Sequence, residues 1–145
     1  MKPGNHIIIS IGVSVGLYLY FHSFLAAFIS FLSGVFIDID HVLDYILHGK
    51  ISLHLVDYYL FSLEKQFSKI FLFFHSFEVI ILFWIVISYF KLNLYWICLC
   101  IGLTQHLILD SIFNNLNQFI SPHAYFFIYR LIKGFKKEYL IRGIS

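Results

Sequence analysis

The sequence predicts an all-α membrane protein, a polytopic bundle of about four membrane-embedded helices with further helices lying at the interface. Three observations carry that expectation. Of the 145 residues, 60% are hydrophobic and only 12% charged, and the mean hydropathy of +0.84 takes the chain out of the ordinary soluble class. Four apolar runs, 7–21, 24–37, 70–90 and 94–103, the last continuing through a polar notch to Phe113, approach or reach the length that crosses a hydrocarbon core of roughly 30 Å at a helical rise of about 1.5 Å per residue. The ionisable residues that interrupt this background gather near the ends of the runs.

The first run follows Lys2, as the apolar region of a signal peptide would, but no small-x-small cleavage site comes after it. It meets the second run at His22-Ser23, where either a tight helical hairpin or one deeper interrupted element fits. The third run is the longest. In the fourth, Cys98 and Cys100 are two apart, a spacing that points them to different sides of a helix and suits neither a disulfide nor a zinc finger. They read as small apolar packing residues.

Between the second and third runs, residues 51–63 are amphipathic, with His54 and Asp57 on one face, and predict an interfacial helix. Beyond Pro122 the sequence HAYFFIYRLIKGFKKEYLIR mixes aromatics with cations. Residues 119–145 are therefore expected to form a basic interfacial segment facing anionic lipid head groups. No nucleic-acid-binding motif accompanies these charges, so no nucleic-acid partner is expected. With no internal repeat or Pro/Gly-rich linker, residues 1–145 read as a single membrane-embedded domain.

Lysine and arginine near segment ends favour the cytoplasmic side. Four crossings would place Lys2, Lys50, Lys65, Lys69, Arg130, Lys133, Lys136, Lys137 and Arg142 on one face and Lys91 alone on the other. Both termini are then expected in the cytoplasm. His6, the cluster Asp38 to Asp44, the triplet His75, Ser76 and Glu78, and the pair His106 and Asp110 all fall near that same face.

Three stretches hold the chemistry: GVFIDIDHVLDY at 34–45, FFHSFEVI at 73–80 and GLTQHLILDSIFN at 102–114. In a helix, His75 and Glu78 lie three apart and His106 and Asp110 four apart, so each pair shares a face. Insertion of one Asp at the centre of a membrane helix costs roughly 2.5 to 3.5 kcal/mol, and a bound cation compensates several such groups at once. Imidazole and carboxylate donors suit a divalent metal, zinc first, with manganese or magnesium as the oxygen-rich alternatives. Asp38, Asp40, His41, His75, His106 and Asp110 are the expected ligands, with His6 as a further one. Asp40 and Glu78 are the candidate proton acceptors for a metal-activated water. Asn114 continues the His106 and Asp110 stripe and is either a supporting amide or a helix-end cap.

An early histidine, DIDH after a glycine-led apolar run, HS opening a later hydrophobic helix and G…HLILD near the last one together resemble the membrane-bound metal-dependent hydrolases. That family is also described as LexA-regulated inner-membrane-associated hydrolases, and it looks distantly similar to zinc-dependent phospholipase C. The resemblance runs from about His6 to Pro122. It implies metal or active-site roles for Asp38, Asp40, His41, His75, His106, Asp110 and His6, and a bacterial inner-membrane location. The chain departs from the family pattern at Ile37, where a proline usually precedes the first acid. It departs again at IFLFFHS, which lacks the usual upstream His-Arg pair; Glu78 is the candidate replacement.

The expected function is hydrolysis of an ester or phosphoester of a lipid or lipid-linked substrate at the cytoplasmic membrane face. The competing expectation is an ion- or proton-coupled membrane protein that uses the same groups as a relay. A purely structural role is weaker, because interhelical hydrogen bonds in membranes average about 0.6 kcal/mol, a small return for so many ionisable groups.

Overall fold

The computed structural model describes residues 3–40, 46, 69–116 and 120–141, and among them it is helical with no strand. His41, Asp44, His48, and the 51–63 segment with His54 and Asp57 lie outside the described residues.

Helix α1 (Pro3–Phe21) and helix α2 (Phe24–Phe36) form a hairpin closed by two residues. Proline suits the first position of α1 because its missing N–H would have no partner there. His22 takes a left-handed φ of 51° and turns the chain, and Ser23 Oγ accepts the Ala26 N–H at 3.3 Å, capping α2. The tight hairpin is thus the alternative realised.

Helix α3 (Phe77–Tyr89) and helix α4 (Leu94–Leu116) follow, joined by a short turn in which Lys91 has φ 49° and Asn93 Oδ1 accepts the Tyr95 N–H. Two helices are long and apolar enough to cross a membrane, over Gly4–Phe21 and Leu94–Asn114. Only 11% and 33% of those stretches is buried, whereas the central helix of a soluble protein is mostly covered. At 13 residues each, α2 and α3 span about 20 Å and fall short of a full crossing. Exposed side chains such as Ile8, Leu19, Ile81, Leu82 and Ile85 give α1 and α3 apolar outer faces.

The expected 70–90 span is corrected: helix begins only at Phe77. Residues 70–76 run irregularly, with Leu72 at φ 32°. Hydrogen bonds explain why. The backbone N–H groups of Phe74 and His75 donate to Asp40 Oδ2 at 2.5 and 3.3 Å, and the carbonyls of Phe71 and Leu72 accept from Arg130 Nη1 at 2.8 and 2.7 Å. Side chains thus replace the helical ladder over this segment.

The described part of 119–145, expected as a basic interfacial segment, folds into short elements with both buried and exposed side chains. After a 3-10 turn (Pro122–Tyr125) comes only the six-residue α5 (Phe127–Ile132) and a second 3-10 turn (Lys137–Tyr139). Tyr125, Arg130, Leu140 and Ile141 are buried. Isolated antiparallel bridges pair Lys69 with Lys136 and Ile120 with Ile141, so this segment is sewn onto residues 69–76.

The main core lies between α3 and α4, built from Ile80, Ile87, Cys100, Leu107 and Tyr125. Cys98 and Cys100 are both free and buried, as packing residues would be. On the other side of α4, α2 makes its closest approach at Gly102, where an added Cβ would overlap Ser33 Oγ and the Ser30 carbonyl. Ser33 Oγ donates to the Leu99 carbonyl at 2.9 Å. Small residues at this crossing let two backbones touch, and the site depends on that contact.

Candidate metal centre

Four segments supply the site. Asp38 stands in the turn after α2 and Asp40 in the helical residues just beyond it, His75 in the irregular stretch before α3, and His106 and Asp110 one turn apart on α4. His6 comes from the first turns of α1. Asp38, His75, His106 and Asp110 each offer one ligand atom, and these four atoms all lie within 4.8 Å of one another, forming a group able to hold a metal ion.

The separations are specific. His106 Nε2 is 3.3 Å from Asp38 Oδ1 and 3.5 Å from Asp110 Oδ2. His75 Nε2 is 3.5 Å from the same Asp38 oxygen and 3.8 Å from the same Asp110 oxygen. A tetrahedral ion with N and O bonds of about 2.0–2.2 Å separates its ligand atoms by about 3.3–3.6 Å. Three of the four contacts fall within that edge range and the fourth, at 3.8 Å, is slightly longer.

Ring orientation points the same way. His106 Nδ1 lies 2.7 Å from the Gly34 carbonyl, which can only accept, so Nδ1 carries the proton and the Nε2 of the neutral ring presents a lone pair. That lone pair is buried, has no hydrogen-bond partner among the described residues, and faces two carboxylate oxygens. Lone pair against carboxylate is repulsive without a cation or proton between them. His75 repeats the arrangement, its Nδ1 lying 3.4 Å from Asp40 Oδ2 and its Nε2 turned toward Asp38 and Asp110. A histidine tied at one nitrogen to a carbonyl or carboxylate and presenting the other is the usual metal-ligand pose.

Electrostatics reinforce the pairing. Burial raises the Asp40 carboxyl, but the His75 hydrogen bond and charge, with the Phe74 and His75 N–H groups, outweigh it and hold the group below the ordinary carboxylate range. Burial likewise lowers His75, but its contacts with Asp38 and Asp40 and the charge of Asp110 prevail and raise it. The segment is therefore built for positive charge at its centre. No family model, curated protein or solved structure matches the chain. The chemistry rests on this geometry alone.

Of the residues expected to bind metal, the structure brings four together and sets two one step behind them. Asp40 braces the His75 ring and backbone. His6 Nε2 lies 3.0 Å from Asp110 Oδ1, the oxygen turned away from the cluster, and its ring stacks on His106 with centroids 4.0 Å apart. These two contact members of the group without being part of it. His41 is outside the described residues.

Glu78, expected as a proton acceptor, is committed elsewhere. Its two oxygens accept the backbone N–H groups of Phe127 and Ile128 at 2.9 and 3.1 Å, capping α5. Acidic groups favour helix N-termini, and a carboxylate three residues from His75 on the opposite side of Ser76 reaches α5 instead of the cluster.

Several supporting residues escaped sequence reasoning. Tyr125 donates to the Asp110 carbonyl at 3.1 Å and accepts from Asn114 Nδ2 at 2.7 Å, so the Asn114 stripe does act behind the ligands, through a tyrosine. Gly34 supplies the carbonyl that fixes His106, and its place at the head of GVFIDIDH was the only available signal. Arg130 gave none, standing among surface-type cations in the sequence.

Proposed function

We propose that the protein is a membrane-embedded metal-dependent hydrolase acting on an ester or phosphoester of a lipid or lipid-linked molecule. One observation carries the reading: two imidazole Nε2 atoms and two carboxylate oxygens spaced along tetrahedral edges, with both rings anchored through Nδ1. Two nitrogen and two oxygen donors at such spacing favour zinc over magnesium, which prefers octahedral oxygen. A bound zinc would supply Lewis acidity, lowering the pKa of a water toward about 7 and polarising the scissile group.

The chain's own residues divide the remaining work. His75, His106 and Asp110 are nearly sealed, whereas the Asp38 side chain is 38% exposed, so substrate would enter on the Asp38 side. Asp38, the exposed member of the group, would then yield its position to a water, leaving the open three-ligand site of a catalytic zinc, and it replaces Asp40 and Glu78 as the group placed to take the water's proton, since Asp40 is spent on His75 and Glu78 on α5. Asp110, held by His6, and the two anchored histidines keep the donor set from collapsing when charge develops. Apolar outer faces on α1 and α3 support embedding in lipid, and the cation bias would turn the site toward the cytoplasm, at the inner membrane of a bacterium if the family likeness holds.

The test is direct. Purified protein in detergent should carry one zinc per chain and cleave at least one member of a panel of lipid phosphoesters and carboxylic esters, with Asp38→Asn inactive. Loaded protein that turns over nothing in the panel would remove hydrolysis.

One observation favours a second reading, a proton or cation relay. His6, Ser10 and Ser14 form a buried stripe along α1, and Ser14 Oγ and Ser30 Oγ have no hydrogen-bond partner among the described residues. Polar groups thus extend from the cluster along the helix. Dye-loaded vesicles containing the protein would reveal relay as an ion-dependent pH change, absent in Ser14→Ala.

A further inference from the structure

Among the described residues Arg130 is the largest fully buried side chain, 1% exposed, and its guanidinium bonds to residues 71–76. Nη1 donates to the carbonyls of Phe71 and Leu72. Nη2 donates to the His75 carbonyl at 3.3 Å and to Ser76 Oγ, whose own hydroxyl proton goes to the Phe73 carbonyl at 2.9 Å. Arg130 therefore holds Phe71, Leu72, His75 and Ser76, while Asp40 takes the N–H groups of Phe74 and His75.

This segment has no helical ladder, so its buried carbonyls need donors from outside. A planar guanidinium offers five donors in a fixed fork, and an ammonium offers a single point.

We propose that Arg130 is the positioning residue of the metal centre, setting the His75 ring through the backbone of residues 71–76. The proposal rests on reading Asp38, His75, His106 and Asp110 as metal ligands. It assigns a role at the site to a residue from the far end of the chain, where composition alone suggested lipid contact.

Cobalt is the probe, because a tetrahedral Co(II) site absorbs in the visible and so reports geometry as well as affinity. Full-length wild type, Arg130→Gln, Arg130→Lys, His75→Ala and the two double variants are titrated with Co(II) in detergent, with helicity and size checked on each. Arg130→Gln should weaken binding by about 10- to 100-fold, the range for lost outer partners of a metal ligand, and reduce the tetrahedral absorption. Arg130→Lys, which keeps the charge without the fork, should fall between Gln and wild type.

The deciding comparison is the double-mutant cycle. If Arg130 acts through His75, Arg130→Gln should weaken binding by less than about twofold when His75 is already Ala. A full additional loss there would mark general structural damage and overturn the proposal, as would wild-type affinity and spectrum in Arg130→Gln. If the glutamine variant does not fold, the lysine variant carries the same cycle with the same criteria. Absence of any Co(II) binding by wild type would overturn the metal reading and this proposal together; wild-type binding with an additive cycle overturns the Arg130 role alone.

Discussion

Gly102→Ala tests whether helix packing governs the metal centre. The added methyl would overlap Ser33 Oγ and the Ser30 carbonyl, with the Gly34 backbone N at 3.0 Å. Ser33 can rotate, but the carbonyl and the backbone nitrogen belong to α2 itself. Restoring van der Waals contact at about 3.5 Å requires α2 and α4 to part by on the order of 1 Å. His106 lies one turn farther along α4 and faces Gly34, so its 2.7 Å contact would open to about 3.7 Å, beyond hydrogen-bond range. Overpacking should cost about 1–3 kcal/mol of stability, and loss of the His106 anchor should weaken metal binding about 10- to 100-fold. Gly16→Ala is the control, since nothing lies within 4 Å of a Cβ there. Thermal unfolding in detergent reads the first effect and Co(II) titration the second. Wild-type metal affinity in Gly102→Ala would refute the link between this crossing and the site.

Three further outcomes are expected. His106→Ala should lower metal affinity and the metal content of the purified protein with helicity retained, and metal analysis showing equal content in variant and wild type would count against the ligand set. His6→Ala removes a contact one step from the cluster, so affinity should drop about 10- to 100-fold without vanishing; complete loss would place His6 among the ligands after all. Metal affinity should fall on acidification, because a proton competes at His75, whose pKa is raised. In the metal-free protein the sign is opposite: the His75 contribution to stability is full below about pH 6.5 and is lost as pH rises through the raised value. Melting curves with and without zinc across pH should therefore diverge upward in pH, and parallel curves would contradict this account.

The site was more legible in the sequence than the fold around it. His106 and Asp110 declare themselves by a helical spacing that survives folding, and Asp38 and His75 by their rarity in apolar surroundings. Hydropathy cannot distinguish a buried irregular stretch from a buried helix, so residues 70–76 were merged into a span that the bonds from Asp40 and Arg130 interrupt. Glu78 misled because helical proximity to His75 says nothing of a competing partner, the open N–H groups at the start of α5. Arg130 misled because a cation among lysines looks solvated until the carbonyls that claim it are known. Partners made of backbone, such as the Gly34 carbonyl, leave almost no trace in residue type.

The grip of Arg130 on the His75 carbonyl joins residues 55 positions apart, and this orders events during biosynthesis. A nascent chain can insert its hairpin and complete α4 while His75 still lacks its keeper. Full grip on an ion would then arrive last, after translation has passed residue 130, so an unfinished polypeptide would hold metal more weakly than the finished one.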